Sequence, residues 1–186
     1  MEQKNLVKIL KEGGVAVLPT DTLYGFCASA FSKDAVEKIY TLKKRDPRKA
    51  LIVLISCLDD LKSFGIELEK YEAKLKEIWP GRVSVVLPCD KEELSYLHRG
   101  GKSIAFRIPD KKDLLELLER TGPLVAPSAN PEGREPAKNI EEAKKYFADE
   151  VELYVDGGEL FGDPSTLVSF DDKKNFIIER KGAVKL

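Results

Sequence analysis

The 186-residue sequence has few of the side chains that usually hold metals or act as nucleophiles. Its single histidine, His98, excludes any site built from several histidines and is expected at the surface near a helix end. The three cysteines, Cys27, Cys57 and Cys89, lie about thirty residues apart. That spacing fits neither a zinc site nor a Cys-x-x-Cys redox motif. We therefore expect the cysteines to be small buried hydrophobic residues.

The sequence also lacks a strong net charge and long hydrophobic runs. The net charge is −1, so no overall positive field draws the protein to nucleic acid or anionic membranes. No stretch approaches the roughly 20 apolar residues of a membrane helix, and MEQKNLVKIL lacks the core of a signal peptide. These features predict a cytoplasmic protein without membrane association. The length fits a single domain over residues 1–186, with a substantial core.

What the chain does contain is a regular alternation of strand and helix patterns. Apolar runs predict strands at VAVL, ALIVLIS, VSVVLP, SIAFRIP, PLVAPSA, VELYVDGG, STLVSF and NFIIER. Amphipathic spacing predicts helices at KNLVKILKEGG, SKDAVEKIYTLKKR, LEKYEAKLKEIWPG, KEELSYLH, KKDLLELLERTG and NIEEAKKYFADE. Ser32 is the expected N-cap of the second helix. The alternation predicts an α/β domain with a mixed, twisted sheet flanked by helices.

Common nucleotide-binding motifs are missing. The segment RGGKS resembles the end of a P-loop, but Tyr96 stands where a glycine belongs, and the segment precedes a strand instead of following one. The sequence contains no G-x-G-x-x-G. Any nucleotide must therefore be bound in another way.

The segment PTDTLYG carries three hydroxyl groups directly after the first predicted strand. In an extended chain Thr20, Thr22 and Tyr24 point to one side, and Asp21 points to the other. Such a hydroxyl face favours a binding site, although a polar sheet surface would have the same composition.

The segment KKRDPRK at residues 43–49 has five cations and only Asp46 to balance them. Lysine and arginine also favour solvated helix C-termini, which is an alternative explanation. Here the cluster leads into a predicted central strand, where open α/β folds tend to bind ligands. Phosphate groups are the natural partners for such positive charge.

Two further strands carry unexpected polar groups. In SIAFRIP, Arg107 and Ser103 alternate with an apolar row, so Arg107 requires an anion or an edge position. In APSAN, small residues allow close backbone approach, and Ser128 and Asn130 supply short polar groups.

Taken in order, PTDTLYG, K-x-R with LIVL, WPG, AFRIP, APSAN, VDGG, PST and ER-x-G resemble the YrdC-like family, from about Gly13 to Gly182. The resemblance implies a fold with a large cavity and the activity of a threonylcarbamoyl-AMP synthase in its short, single-domain form. Such enzymes join L-threonine, bicarbonate and ATP and release pyrophosphate. A separate transferase complex then modifies tRNA beside the anticodon. Direct contact with tRNA is left open.

The resemblance also implies roles for particular residues. The catalytic tetrad falls on Lys43, Arg45, Ser128 and Asn130. The implied ATP contacts are Arg45, Lys49, Ser103, Ser128 and Arg180. The implied threonine contacts are Thr22, Ser165 and Arg107, which pairs with the amino-acid carboxylate. No metal ligand is expected from the protein, and Mg²⁺ would arrive with ATP.

Some positions depart from the family pattern. Leu54 stands where many members have a histidine, and Arg82-Val83-Ser84 replaces the usual Pro-Leu-Thr. The carbamate of threonine is already an anionic nucleophile, so positioning and charge neutralisation are the expected tasks of the protein. Asp21 is a weak candidate for accepting the ammonium proton, because an ideal strand points it away from Thr20 and Thr22.

Two other functions remain open at this point. A related enzyme handling carbamoyl phosphate would share the fold, although such domains usually sit in longer chains. A non-catalytic RNA-binding module could use the cluster at 43–49, but the net charge of −1 and the lack of aromatic pairs that look exposed disfavour it.

Overall fold

The computed structural model describes residues 2–186, so residue 1 of the predicted domain lies outside the described part. The strands are β1 Ala16–Pro19, β2 Tyr24–Ser29, β3 Ile52–Leu54, β4 Val83–Pro88, β5 Ser103–Arg107, β6 Leu124–Val125, β7 Leu153–Tyr154, β8 Thr166–Phe170 and β9 Phe176–Arg180. The α-helices are α1 Glu2–Lys11, α2 Lys33–Lys43, α3 Glu72–Lys76, α4 Ser95–His98, α5 Lys112–Thr121 and α6 Ile140–Phe147. Short 3₁₀ helices cover Leu58–Phe64, Leu68–Lys70, Glu92–Leu94 and Ala148–Glu150.

The nine strands form one mixed sheet in the order β7-β1-β2-β6-β3-β5-β4-β8-β9. The pairs β1–β7, β3–β5 and β4–β8 are parallel, and the other neighbours are antiparallel. The predicted α/β class with a mixed sheet is confirmed. ALIVLIS was predicted to be central, and β3 does lie between β6 and β5.

Helices cover the two faces of the sheet unequally. On one face, Leu10 of α1 and Leu117 of α5 pack with Leu18 and Leu54 in one cluster of buried residues. The larger cluster on the opposite face includes residues of α2, α3, α4 and α6. Since α1 and α5 lie over only one end of their face, the β5-β4-β8 part of it remains open for a site.

Two local predictions about α2 are confirmed. The Ser32 hydroxyl accepts a hydrogen bond from the Ala35 amide as the N-cap. Val36, Ile39, Tyr40 and Lys43 share the buried side of the helix. A lysine buried in this way requires polar partners from elsewhere in the chain.

Other local predictions are wrong. LEKYEAKLKEIWPG forms a 3₁₀ turn and the five-residue α3 instead of one long helix, and YGFCAS forms the unpredicted strand β2. His98 ends α4 as predicted but is buried, and its ring nitrogens have partners there: Nε2 approaches the Lys91 carbonyl and Nδ1 accepts from the Gly100 amide. Cys27 and Cys89 are buried, whereas Cys57 is exposed before a 3₁₀ helix. Within residues 2–186, no helix has the length and apolar character needed to cross a bilayer.

Candidate functional site

A cavity of about 330 Å³ lies on the open part of the sheet. Ser103, Ala105 and Arg107 of β5 line it, while Ile104 and Phe106, which alternate with them, are buried in the core. The prediction that Ser103 and Arg107 share a strand face is therefore confirmed. The strand β5 is interior to the sheet, so an edge position does not explain Arg107.

The segment PTDTLYG forms one wall of the cavity, but as a turn and not as an extended strand. The Thr20 hydroxyl donates to the Leu23 carbonyl (2.7 Å) and accepts from the amides of Thr22 and Leu23. Such side-chain bonds to nearby backbone favour turns over strands, which is why the extended prediction is wrong. Thr20, Thr22 and Tyr24 all line the cavity, but the Tyr24 hydroxyl donates to the Gly158 carbonyl (2.8 Å) and accepts from the Gly157 amide (2.8 Å), outside the cavity lining. The predicted hydroxyl face is therefore confirmed only for the two threonines. Gly25 also lines it, where a Cβ would lie 3.2 Å from the Pro127 carbonyl oxygen.

Three of the four tetrad residues form a connected cluster beside the cavity. The Lys43 ammonium donates to the carbonyl oxygens of Ser128 (2.5 Å) and Asn130 (2.7 Å). The Ser128 hydroxyl donates to Asn130 Oδ1 (2.6 Å), and Asn130 Nδ2 donates to the carbonyls of Pro131 and Arg134. Of this cluster only Ser128 lines the cavity. Lys43 and Asn130 do not line the cavity, and both side chains bond the 128–134 backbone and hold Ser128 in place. Their catalytic roles stay predictions.

The burial of Lys43 also changes its ionisation. Desolvation, and next the positive charge of Arg45, lower the pKa of Lys43 from 10.5 to about 7, while Glu132 opposes the shift. Between these two pH values the unfolded chain binds the proton and the folded chain does not. The free energy of unfolding contributed by Lys43 therefore rises as pH increases from about 7 towards 10.

A substitution tests this pH dependence. We expect the free energy of unfolding of the wild-type protein to rise between pH 7 and pH 9 relative to that of Lys43→Met. The reason is that the methionine has no proton to lose on folding. Urea unfolding at both pH values measures the difference. The control is Lys44→Met, because the neighbouring Lys44 is exposed. We expect this variant to keep the pH dependence of stability of the wild-type protein. An identical pH dependence in Lys43→Met would contradict the assignment.

The basic segment places one arginine on the cavity and directs its other cations elsewhere. Arg45 lines the cavity, and its guanidinium donates to the carbonyls of Lys49 and Ala50, both at 3.1 Å. The Lys49 ammonium instead pairs with Glu132 (2.5 Å) at the surface, and Lys49 does not line the cavity. The structure therefore pairs Lys49 with a carboxylate outside the cavity, and its ATP contact stays a prediction.

Arg107 projects into the cavity from a buried position with an unexpected partner. Its Nη1 donates to Asp21 Oδ1, and the side chains are only 3% and 1% exposed. Burial lowers the pKa of Arg107, and the nearby Asp21 charge opposes that shift. The Nε atom of Arg107 is buried without a partner among the described residues. The sequence predicts an anion beside Arg107, and the structure supplies one from inside the protein, the Asp21 carboxylate.

The remaining predicted contacts, Ser165 and Arg180, lie next to each other on the cavity wall. Ser165 and Arg180 line the cavity, and Arg180 Nη2 donates to the Ser165 carbonyl (2.7 Å). The Ser165 hydroxyl lies 2.9 Å from the hydroxyl of Ser84, a fully buried residue of β4. A Cβ at Gly182 would lie 2.2 Å from the Pro164 carbonyl oxygen, so only glycine permits the last segment to pack behind this wall.

Positive charge is concentrated in this cavity. Arg45, Arg107 and Arg180 all line it, and burial, followed by the charges of Arg45 and Arg107, lowers the pKa of Arg180. Leu54, the departure from the family pattern, is fully buried on the α1–α5 side and does not line the cavity. The arrangement suits a ligand with several anionic groups beside hydroxyl-binding ones.

The sequence predicts most of the residues on the cavity wall but not the side-chain pairs that hold two of them in place. The sequence suggests Asp21 only as a weak candidate proton acceptor, whereas in the structure it is the ion-pair partner of Arg107. Ser84 was noted only as a departure from a pattern, whereas it contacts Ser165. No signal in a single sequence gives these pairings, which join residues about 80 positions apart.

Comparison with known proteins places this chain in a family. The family model Sua5/YciO/YrdC, described as "Telomere recombination", matches residues 8–182. The chain belongs to the Sua5/YciO/YrdC family. This agrees with the resemblance found in its motifs.

Individual relatives give the same result. The threonylcarbamoyl-AMP synthase of Bacillus subtilis (strain 168) is 34% identical over 95% of this chain. Sua5 of P. abyssi, crystallised in complex with L-threonine, superposes with a TM-score of 0.88 at 29% identity over 97% of the chain. E. coli YciO gives a TM-score of 0.85 at 25% identity, and the match covers 99% of this chain and 90% of YciO. The chain spans about half the length of the first two proteins, 52% and 54%.

Proposed function

We propose that this protein joins L-threonine, bicarbonate and ATP into threonylcarbamoyl-AMP and releases pyrophosphate. The observation that carries the proposal is that Arg45, Arg107 and Arg180 line one cavity together with the hydroxyls of Thr22, Ser128 and Ser165. An amino acid beside a nucleoside triphosphate presents the anions and the polar groups that this wall would bind. Support also comes from the relatives, one of which carries the name of this synthase and another of which was crystallised with L-threonine.

In the proposed reaction, the threonine amine adds to carbon dioxide derived from bicarbonate and loses protons to give a carbamate. A carbamate oxygen then forms a bond to the α-phosphorus of ATP, and the bond from that phosphorus to the pyrophosphate oxygen breaks. Arg107 and Thr22 would bind the amino acid, with Arg107 on its carboxylate. Arg45 and Arg180 would neutralise the phosphates and the charge that develops on the leaving pyrophosphate.

Mg²⁺ is proposed to accompany ATP. None of the residues lining the cavity is an aspartate or a glutamate, and residues 2–186 contain no group of three or more potential His, Cys, Asp or Glu ligands. These residues fit an ion held mainly by phosphate oxygens and water, as Mg²⁺ prefers, with the hydroxyls of Ser103 and Ser128 on the same wall. Bound there, Mg²⁺ would offset negative charge on the phosphates.

The product would be consumed by a separate transferase that moves the threonylcarbamoyl group to tRNA next to the anticodon. A reactive acyl adenylate needs protection from water until that transfer takes place. The enclosing wall formed by the 20–25 turn and the 126–128 segment would provide it. Direct contact between this chain and tRNA would be measured in a binding experiment, separately from the synthase assay.

Pyrophosphate release tests the proposal. We expect release from ATP and Mg²⁺ only when both L-threonine and bicarbonate are present, with threonylcarbamoyl-AMP detected by mass spectrometry. Omission of either one should reduce the rate to background. Turnover supported by carbamoyl phosphate instead would favour the carbamoyl-handling alternative. Tight RNA binding without any turnover would favour the RNA-binding module, and either result would overturn the proposal.

A further inference from the structure

The buried ion pair between Asp21 and Arg107 joins two parts of the cavity wall. Asp21 lies in the turn that carries Thr20 and Thr22, and Arg107 ends β5. The second carboxylate oxygen of Asp21 accepts from the Asp110 amide (3.3 Å), just beyond β5. One carboxylate therefore fixes the Arg107 side chain and ties the hydroxyl-bearing turn to the end of that strand.

The donors of Arg107 are divided between the protein and the cavity. Nη1 is occupied by Asp21, while Nε is buried and has no partner among residues 2–186. A buried donor without a partner is costly, and a guanidinium stays charged in proteins. Because Arg107 lines the cavity and its Nη2 is neither buried nor hydrogen-bonded among residues 2–186, an anion bound there could accept from Nη2.

We propose that Asp21 is a positioning residue for Arg107. It anchors Nη1, so that the guanidinium presents its remaining donors to the carboxylate of the amino-acid substrate. This inference rests on the proposed function for the identity of that carboxylate. Asp21 does not line the cavity, so it acts through Arg107 and not on the ligand itself.

Length and charge explain why an aspartate suits this position. Without an anchor at Nη1, the long Arg107 side chain could rotate towards other acceptors, and a displacement of about 1 Å is enough to weaken a bidentate contact severely. An asparagine would keep an acceptor oxygen at the same distance, whereas an alanine would remove it. The two substitutions therefore separate the anchoring geometry from the negative charge.

Ligand titration of these variants provides the first test. For Asp21→Ala we expect the Kd of L-threonine to rise about 10-fold or more, while the Kd of ATP stays within about twofold. Asp21→Asn should keep the threonine Kd within about threefold of wild type, as a conservative rescue. The control is Asp113→Asn on the exposed side of α5, which should change neither constant. Equal losses of threonine and ATP affinity in Asp21→Ala, or equal losses in both Asp21 variants, would overturn the proposal.

A crystal structure of Asp21→Ala tests the same proposal without reference to the substrate. We expect the Arg107 guanidinium to move by about 1 Å or more from the cavity wall. An unmoved guanidinium would overturn the positioning role. If wild-type protein fails to bind L-threonine, the proposed function fails, and the position of Arg107 alone then decides the role of Asp21. If Asp21→Ala does not fold, Asp21→Ser, whose hydroxyl is too short to reach Nη1, replaces it in both experiments.

Discussion

Arg45→Ala is expected to lower the rate of pyrophosphate release by at least about 100-fold, because it removes a fixed positive charge from the part of the cavity that we propose binds the phosphates. The Arg45 guanidinium is held by the carbonyls of Lys49 and Ala50, so its position is already set before a ligand binds. Such preorganised charge stabilises a developing anion without reorganisation during the reaction. Steady-state assays with saturating L-threonine and bicarbonate measure the loss.

Arg48→Ala is the matched control for this prediction. Arg48 lies three positions further along the same basic segment, but it is exposed, pairs with Asp46 and does not line the cavity. We expect its turnover to stay within about twofold of wild type, since an exposed pair contributes little. A fully active Arg45→Ala variant, or equal losses in both variants, would remove Arg45 from the site.

Arg107→Ala is expected to lower kcat/KM for L-threonine by about 1000-fold, with a much smaller change in the KM for ATP. The substitution removes the proposed carboxylate contact and leaves Asp21 buried without its ion-pair partner. Breaking a buried pair in this way typically costs about 3–5 kcal/mol of stability. The variant should therefore also unfold at a lower temperature, as measured by differential scanning calorimetry.

A second variant keeps the Arg107 prediction testable if the alanine variant does not fold. Arg107→Lys retains a charge for Asp21 but not the planar fork, so we expect the KM for L-threonine to rise about 10-fold or more with near-normal stability. Arg120→Ala, on the exposed side of α5, is the control and should behave as wild type. Unchanged threonine kinetics in Arg107→Lys and Arg107→Ala would contradict the assignment.

The sequence predicts the composition of the cavity wall better than the contacts within it. The alternation in SIAFRIP correctly places Ser103 and Arg107 on one face, because a strand has a side-chain period of two. Helical spacing likewise places Lys43 among the buried residues of α2. These are local patterns. The carbonyl partners of Lys43 lie 85 and 87 positions away, and only the folded sheet brings them together.

Two failures of sequence reasoning have physical explanations. In LEKYEAKLKEIWPG, the periodic residues Leu68, Tyr71, Leu75 and Trp79 are buried and the fifth, Ile78, is partly buried, so the pattern identifies the buried side. It does not determine whether the backbone forms one helix or a 3₁₀ turn followed by a short helix, because tertiary packing can favour either. In PTDTLYG, the Thr20 hydroxyl bonds the local backbone and turns the chain, which β propensity alone does not predict.

The central claim is that one cavity binds an amino acid and a nucleoside triphosphate side by side. The most direct measurement is a crystal structure of the protein with L-threonine and a non-hydrolysable ATP analogue. The account predicts the threonine carboxylate within hydrogen-bonding distance of Arg107 and phosphate oxygens against Arg45 and Arg180. Either ligand bound outside this cavity, or threonine bound without contact to Arg107, would contradict it.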